Sequence, residues 1–246
     1  MLFRSSFRMS RRDLLSSALF GVIGQGLYQL LWAGAFGTIN AGTSALLIAV
    51  TPFLTAILAS LLRIDPLKPA VAFGGVIAFA GVVAVAIGEG AGAFGGETTG
   101  VLMTLGAAVC WAVYLLAGAR VIPRVGAIAW TAWSMIFGGA TLLVATVASG
   151  QFDGLASPPP VAIFGLLFST LGSSSLANVL YFTAVPIVGV SRVASFQLLV
   201  PFLAVLVSAI VLNEAPAPIQ AVGGALILLG IWAGRQTGLP FRRRLR

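Results

Sequence analysis

The chain has 246 residues, of which 59% are hydrophobic and only 8% charged, and its mean hydropathy is +1.06. A soluble domain needs roughly 25% charged residues to meet water, so an ordinary water-facing surface is excluded and lipid must be the solvent. The net charge of +8 would suggest nucleic acid in a soluble protein; here the positions of the basic residues give them another role, and no nucleic-acid partner is expected.

The chain opens on a basic segment, 1–13, holding Arg4, Arg8, Arg11 and Arg12. The apolar run 14–37 follows. It is too long for the core of a cleaved signal peptide and no clear cleavage site follows it, so it reads as the first membrane helix. About 20 apolar residues are needed to cross a bilayer. On that measure further spans fall at 40–62, 69–88, 99–121, 127–149, 160–186, 189–212 and 217–235. The breaks between them carry turn residues or charge: Arg63 to Pro69, Gly88 to Thr99, Arg120 to Gly126, Gly150 to Pro160, Pro186 to Ser191 and Asn213 to Pro218. The predicted fold is therefore all-α, a polytopic membrane helix bundle of about eight transmembrane helices. Its loops are too short for a separate soluble domain. A second basic segment, 236–246, closes the chain. Its run from Arg242 to Arg246 could bind anionic headgroups or simply act as a solvated, topology-fixing tail.

Lys and Arg are retained on the cytoplasmic side of a membrane. With the N-terminus inside, all fourteen Lys and Arg fall on inner segments. Glu89, Glu97, Asp153 and Glu214 fall on outer ones. The expectation is a multi-pass protein of the inner (plasma) membrane with both termini cytoplasmic.

The chain also matches itself at an offset of 149 residues. Pro52-Phe53-Leu54 falls on Pro201-Phe202-Leu203, Asp65 on Glu214, Pro69 on Pro218, Gly74-Gly75 on Gly223-Gly224 and Gly81 on Gly230. Prolines, paired glycines and an acidic position in one register are hard to obtain by chance. The matched helices lie an odd number of spans apart, so the copies should be inverted, the architecture of alternating-access carriers. On this reading 14–88 is an incomplete first repeat of three helices and 99–235 a second repeat of five. The counterparts of 99–121 and 127–149 would precede residue 1, making 3 + 5 of an expected 5 + 5.

These residues resemble the drug/metabolite transporter superfamily, EamA type. Each of its five-helix units resembles a pattern of small residues, a mid-helix proline, an acidic residue ending that helix and a glycine-rich last helix. Here those are Thr43 to Ala49, Pro52, Asp65 and Gly74 to Gly81, then Val190 to Ser195, Pro201, Glu214 and Gly223 to Gly230. The stretch from Ala107 to Tyr114, with Arg120 beyond it, is similar to the family's start of a second repeat. The resemblance covers Asp13 to Arg235 and implies a transporter rather than an enzyme. Its main departure is the absent first pair of helices, which in the family help line the substrate cavity.

Polar and aromatic groups in a membrane bundle should face its interior. Gln25, Tyr28, Gln29 and Trp32 recur at i, i+3, i+4 and i+7 on one face of the first span. The offset carries Gln25 to Ser174, Gln29 to Asn178 and Trp32 to Tyr181, so the same face is polar in both copies. These seven residues are candidates for substrate binding, or for interhelical hydrogen bonds alone. Trp111 and Tyr114 share a face and could stack on a substrate or anchor at the interface. Trp130 and Trp133 read rather as an interfacial belt. Arg192, with Ser195 and Gln197, could meet an anionic substrate group or snorkel to the headgroups. Pro52 and Pro201 should kink their helices in mid-span, as hinges or as static bends. All six carboxylates fall in loops or helix ends, so facilitated diffusion, or exchange coupled through a residue on the missing helices, is expected.

With no histidine and the single Cys110, neither a metal nor a cofactor is expected. The partners are the bilayer and a small molecule, and a homodimer stays open. The leading reading is a transporter or exporter of a small polar metabolite (amino acid-like, nucleotide-related or drug-like) working by alternating access. A membrane enzyme on lipid or isoprenoid substrates, or a non-functional truncated transporter, is the alternative.

Overall fold

A computed structural model describes residues 9–39, 47–88, 98–150, 158–200, 202–203, 206, 210 and 217–235. Helices follow one another: α1 (Arg11–Ala35), α2 (Thr51–Leu61), α3 (Pro69–Gly88), α4 (Thr98–Val125), α5 (Ala127–Ser149), α6 (Pro160–Val188), α7 (Val190–Ser195, continued as a 3-10 turn Phe196–Leu198) and α8 (Pro218–Arg235). Four of them, α1, α4, α5 and α6, are long and apolar enough to cross a membrane, and α2, α3 and α8 contain shorter apolar helices. The chain is thus a polytopic helix bundle.

α1 starts on a reciprocal cap. Ser10 Oγ accepts from the Asp13 N–H at 3.1 Å and donates to the Asp13 carboxylate at 2.7 Å, satisfying a donor that the helix start would orphan. α1 and α6 are each interrupted by a π-helical turn, Val22–Leu27 and Ser169–Leu176. Shifted by 149 residues, the first turn falls inside the second. Each inserts a residue into the helical ladder and rotates everything beyond it.

The two tightest connections are single glycines. The spans were expected to break across 120–126 and 186–191. Instead α4 runs through Pro123 to Val125 and α6 through Pro186 to Val188. Gly126 (φ 86°, ψ 155°) and Gly189 (φ 91°, ψ 148°) alone make the turns, in a backbone region that is essentially reserved for glycine. Both turns share the spacing Pro-x-x-Gly.

α3 and α8 form the most extensive helix–helix interface in the fold. A Cβ on Gly74 would lie within contact of the Gly230 carbonyl oxygen, and a Cβ on Gly230 within contact of the Gly74 oxygen; Gly81 faces the Gly223 oxygen in the same way. Gly74 and Gly223, and Gly81 and Gly230, are repeat equivalents. Equivalent residues therefore exchange partners, as a two-fold axis requires. Numbers rise along α3 as they fall along α8, so the helices are antiparallel and the axis is perpendicular to them. A third pair agrees: the Phe53 ring abuts Gly75 and the Phe202 ring abuts Gly224. The repeat seen in the sequence is a geometric repeat, inverted.

The core lies where α4 meets α1, α5 and α6. α1 is wedged between α4 and α5 because Gly21, Gly24 and Gly26 let it approach the Ser134 backbone, the Tyr114 ring and the Thr141 side chain. Only the second half of α6 packs on this core; 158–171 is exposed throughout. Its large side chains, among them Val161, Phe164, Leu166 and Phe168, are apolar, as a lipid-facing helix requires.

Candidate functional site

The polar interior is organised by a seam of rings crossing α1, α4, α5 and α6. Trp32 stacks on Tyr28 (6.2 Å between centroids), Tyr28 meets Trp111 (5.1 Å), and Trp111 meets Tyr114 (5.4 Å). Tyr114 then stacks on Trp130 (5.5 Å) and takes the edge of Phe182 (5.3 Å), which touches Tyr181 (5.5 Å). Such pairs contribute about 0.5–1.5 kcal/mol each beyond their buried area. The seam thus ties both repeat-equivalent helices, α1 and α6, to α4.

The three buried rings are placed by small neighbours. Gly24 receives the base of Tyr114, and Gly118 leaves space for Phe182 and the Trp130 indole. Tyr114, Trp130 and Phe182 are fully buried; Tyr28, Trp32, Trp111 and Tyr181 are half-buried. Tyr114 is accordingly the floor beneath Tyr28 and Trp111 rather than an exposed wall.

Polar atoms collect on this seam. Gln25 Nε2, Trp130 Nε1 and Ser134 Oγ are buried around Tyr114 Oη as its polar neighbours, none of them in well-formed hydrogen-bond geometry. Further buried atoms in the same state include Ser17 Oγ, Trp32 Nε1, Asn178 Oδ1 and Tyr181 Oη. Most buried polar atoms in proteins have a partner, and these atoms depart from that rule. Asn178 donates through Nδ2 to the Ser174 carbonyl at 2.8 Å, and its Oδ1 makes no hydrogen bond.

The structure therefore brings together Gln25, Tyr28, Trp32, Trp111 and Tyr114, with Tyr181 joining from α6; Asn178 is buried on the same helix and bonded to Ser174, one turn away. Gln29 is half-buried on α1 beside them. The helical spacing that grouped Gln25 with Trp32 ignores the π turn. That turn carries Gln25 against Gly138 of α5, while Tyr28 and Trp32 face α4. Arg192 and Ser195 lie elsewhere, on a separate cavity against α3 and α8. Gln197 is half-buried in the 3-10 turn and lines neither. Pro52 is the second residue of α2, just beyond a turn at 49–50, where its missing N–H costs nothing; Pro201 lies outside the described residues.

Three contributors escaped the sequence reading. Trp130, expected in an interfacial belt, is a core residue stacked on Tyr114. Ser134 and Ser17 are fully buried polar groups. The stripe Trp130, Ser134 and Gly138, at spacing i, i+4 and i+8, was the available signal: a face that narrows from ring to hydroxyl to nothing can admit α1.

Two carboxylates lie among the described residues, and both serve as fasteners. Asp13 pairs with Arg124 at 2.7 Å. Asp65 accepts from the Ser191 N–H at 3.1 Å, capping α7 from the end of α2. Arg120 donates to the Leu62 carbonyl at 3.0 Å, closing α2 from the other side. Among the described residues no group of His, Cys, Asp or Glu could hold a metal.

A multi-helix membrane bundle with an unpaired polar and aromatic interior is the build of a solute transporter. Residues 1–87 and 98–233 match the EamA-like transporter family, and the chain belongs to that family. It is 29% identical over 236 residues to a probable terminal-alkyne amino-acid exporter of Streptantibioticus cattleyicolor, covering 96% of this chain and 78% of the relative. It is 26% identical to the uncharacterized transporter YdfC of Bacillus subtilis, covering 89% of this chain and 71% of that one. A solved crystal structure superposes with a TM-score of 0.76 over 93% of this chain and 77% of its own, at 22% identity, which shows the fold.

Proposed function

We propose that the protein carries a small polar metabolite with an apolar or planar portion, amino acid-like in the first instance, outward across the inner membrane by alternating access. The observation that carries this reading is the ring seam with its unpaired polar atoms, spanning two repeat-equivalent helices that are each broken by a π turn. Gln25, Gln29, Ser174, Asn178 and Tyr181 would hydrogen-bond the polar part of the substrate. Trp32, Tyr28 and Trp111 would stack on the remainder, over the Tyr114 floor. The relative named as an amino-acid exporter supports this substrate class.

In this scheme the termini are cytoplasmic, as the placement of Lys and Arg implies. The π turns are the points at which α1 and α6 bend as the chamber opens to one side and then the other. With Asp13 and Asp65 engaged in fastening, no described carboxylate is left to relay a proton, so transport proceeds as facilitated diffusion or exchange.

The test is counterflow in proteoliposomes across a panel of labelled amino acids and related metabolites. Trp111→Ala and Gln25→Leu should each lower the flux of the transported compound at least ten-fold while the protein stays monodisperse. Unchanged flux in both variants would remove the seam from the pathway.

A further inference from the structure

Polar groups at one end of the bundle join into a run that crosses four helices. Ser10 Oγ donates to Asp13 Oδ2 at 2.7 Å, and Asp13 Oδ1 accepts from Arg124 Nη2 and Nε at 2.7 and 3.2 Å. Arg124 Nη1 reaches back to the Arg120 carbonyl at 3.1 Å, and Arg120 Nη2 donates to the Leu62 carbonyl at 3.0 Å. Just beyond Leu62, Asp65 Oδ2 accepts from the Ser191 N–H at 3.1 Å. The run passes from α1 to α4, from α4 to the end of α2, and from there to α7.

The helices it joins alternate. α1 and α2 belong to the first repeat and α4 and α7 to the second, so every step ties one inverted half to the other. The opposite end is built otherwise: there Thr38, Thr104, Thr146 and Ser149 each donate to a carbonyl three or four residues back in their own segment. The turn in the middle of the run is also strained. Arg63, between Leu62 and Asp65, has a φ of 55°, a left-handed conformation unfavourable to a residue with a Cβ, and the Ile64 N–H holds the turn by donating to the Ala59 carbonyl at 2.8 Å. Strain of this kind collects at switch regions. Inward of the run, the buried face of α1 continues through Ser17 and Gly21 to Gln25, so the run stands between this end of the bundle and the ring seam.

We propose that this run is a gate. In this conformation it ties the two halves together and closes the seam from its own end; its links part when the halves rock to open that end. The inference rests on the transport reading, because halves that rock about a central site can open one end only by breaking what joins them there. Arg120 and Arg124 are both exposed, so their bonds can be exchanged for bonds to water at small cost, as a gate that opens in every cycle requires.

Ser17→Cys in a Cys110→Ser background reports on the gate, since Ser17 is fully buried one turn inward of Asp13. Everted and right-side-out vesicles receive a cationic, membrane-impermeant methanethiosulfonate, and modification is timed by mass spectrometry. With the gate intact the thiol should react slowly from either side. Asp13→Asn should raise the rate about five-fold, the population change an exposed ion pair can govern, and Asp65→Ala should raise it further in the same chain. The rise should come only from the side on which Arg124 stands, and Asp13→Glu, which keeps the charge, should leave the rate low. Loss of a carboxylate by itself would slow a cationic reagent, so a rise reports opening. A rate unmoved by both substitutions, or raised equally from both sides as in general loosening, would overturn the gate. The labelling needs no substrate. A responsive thiol with no counterflow in the wild type would therefore count against the transport reading alone, and counterflow with an unresponsive thiol against the gate alone.

Discussion

Replacing Gly74 with alanine tests the inverted two-fold directly. The added Cβ would collide with the Gly230 carbonyl oxygen and sit 2.6 Å from the Gly234 backbone nitrogen. Both are backbone atoms and cannot swing aside, so α3 and α8 must part by about 1 Å. A gap of that size forfeits about a quarter to a half of each dispersion contact along the seam. Overpacking of this kind costs about 1–3 kcal/mol. At about 2 kcal/mol, and about 2–4 °C per kcal/mol for a chain of this size, Tm should fall by about 4–8 °C. Gly230→Ala meets the Gly74 backbone from the other side and should cost the same. Because one separation relieves both clashes, the double variant should cost clearly less than the sum of the two. Gly139→Ala is the control: a Cβ there meets nothing within 4 Å, and alanine gains up to about 1 kcal/mol in helix propensity. Melting followed by size exclusion in detergent reads all four variants. If Gly74→Ala melted with Gly139→Ala, or if the two seam variants were additive, the close reciprocal packing would be refuted.

Other expected outcomes concern the fastenings at the helix ends. Asp65→Ala should cost about 1 kcal/mol, the usual worth of a helix cap, and Asp65→Asn should recover most of it; equal melting of the two would show that the Ser191 contact contributes nothing. Gly189→Ala combines a φ of 91° with a Cβ 2.6 Å from the Asp65 carboxylate, and should destabilise by about 1–3 kcal/mol; restoration by Asp65→Ala in the same chain would separate the clash from the strain. Asp13 and Arg124 are 12% and 55% exposed. A double-mutant cycle should therefore return a coupling of about 1 kcal/mol that shrinks in high salt, and a salt-independent value would contradict a pair whose arginine stands in solvent.

Much of the site was legible because polar and aromatic side chains are scarce in a chain of this composition. Gln25, Tyr28, Trp32, Trp111 and Tyr114 stood out on apolar helices, and the structure groups them. Arg192 stood out equally and went elsewhere, since an isolated cation carries no information about which neighbouring helix it will face. Trp130 was misread because position near a span's end is shared by belt and core tryptophans. What distinguishes them is the neighbour across the gap, here Tyr114, which no local pattern encodes. The π turns were also invisible: a residue inserted into the helical ladder leaves the apolar character of the run unchanged.

Composition, span length and the register of the prolines and glycines were enough to establish a lipid-embedded helix bundle with an internal repeat. Those properties depend on hydration and on backbone chemistry, which each residue carries with it. Which helices touch, which rings stack, and whether a cation meets the seam or a place apart from it were decided only in the tertiary structure. In lipid, helices are selected by close packing rather than by an apolar driving force, and close packing depends on the shape of both partners at once.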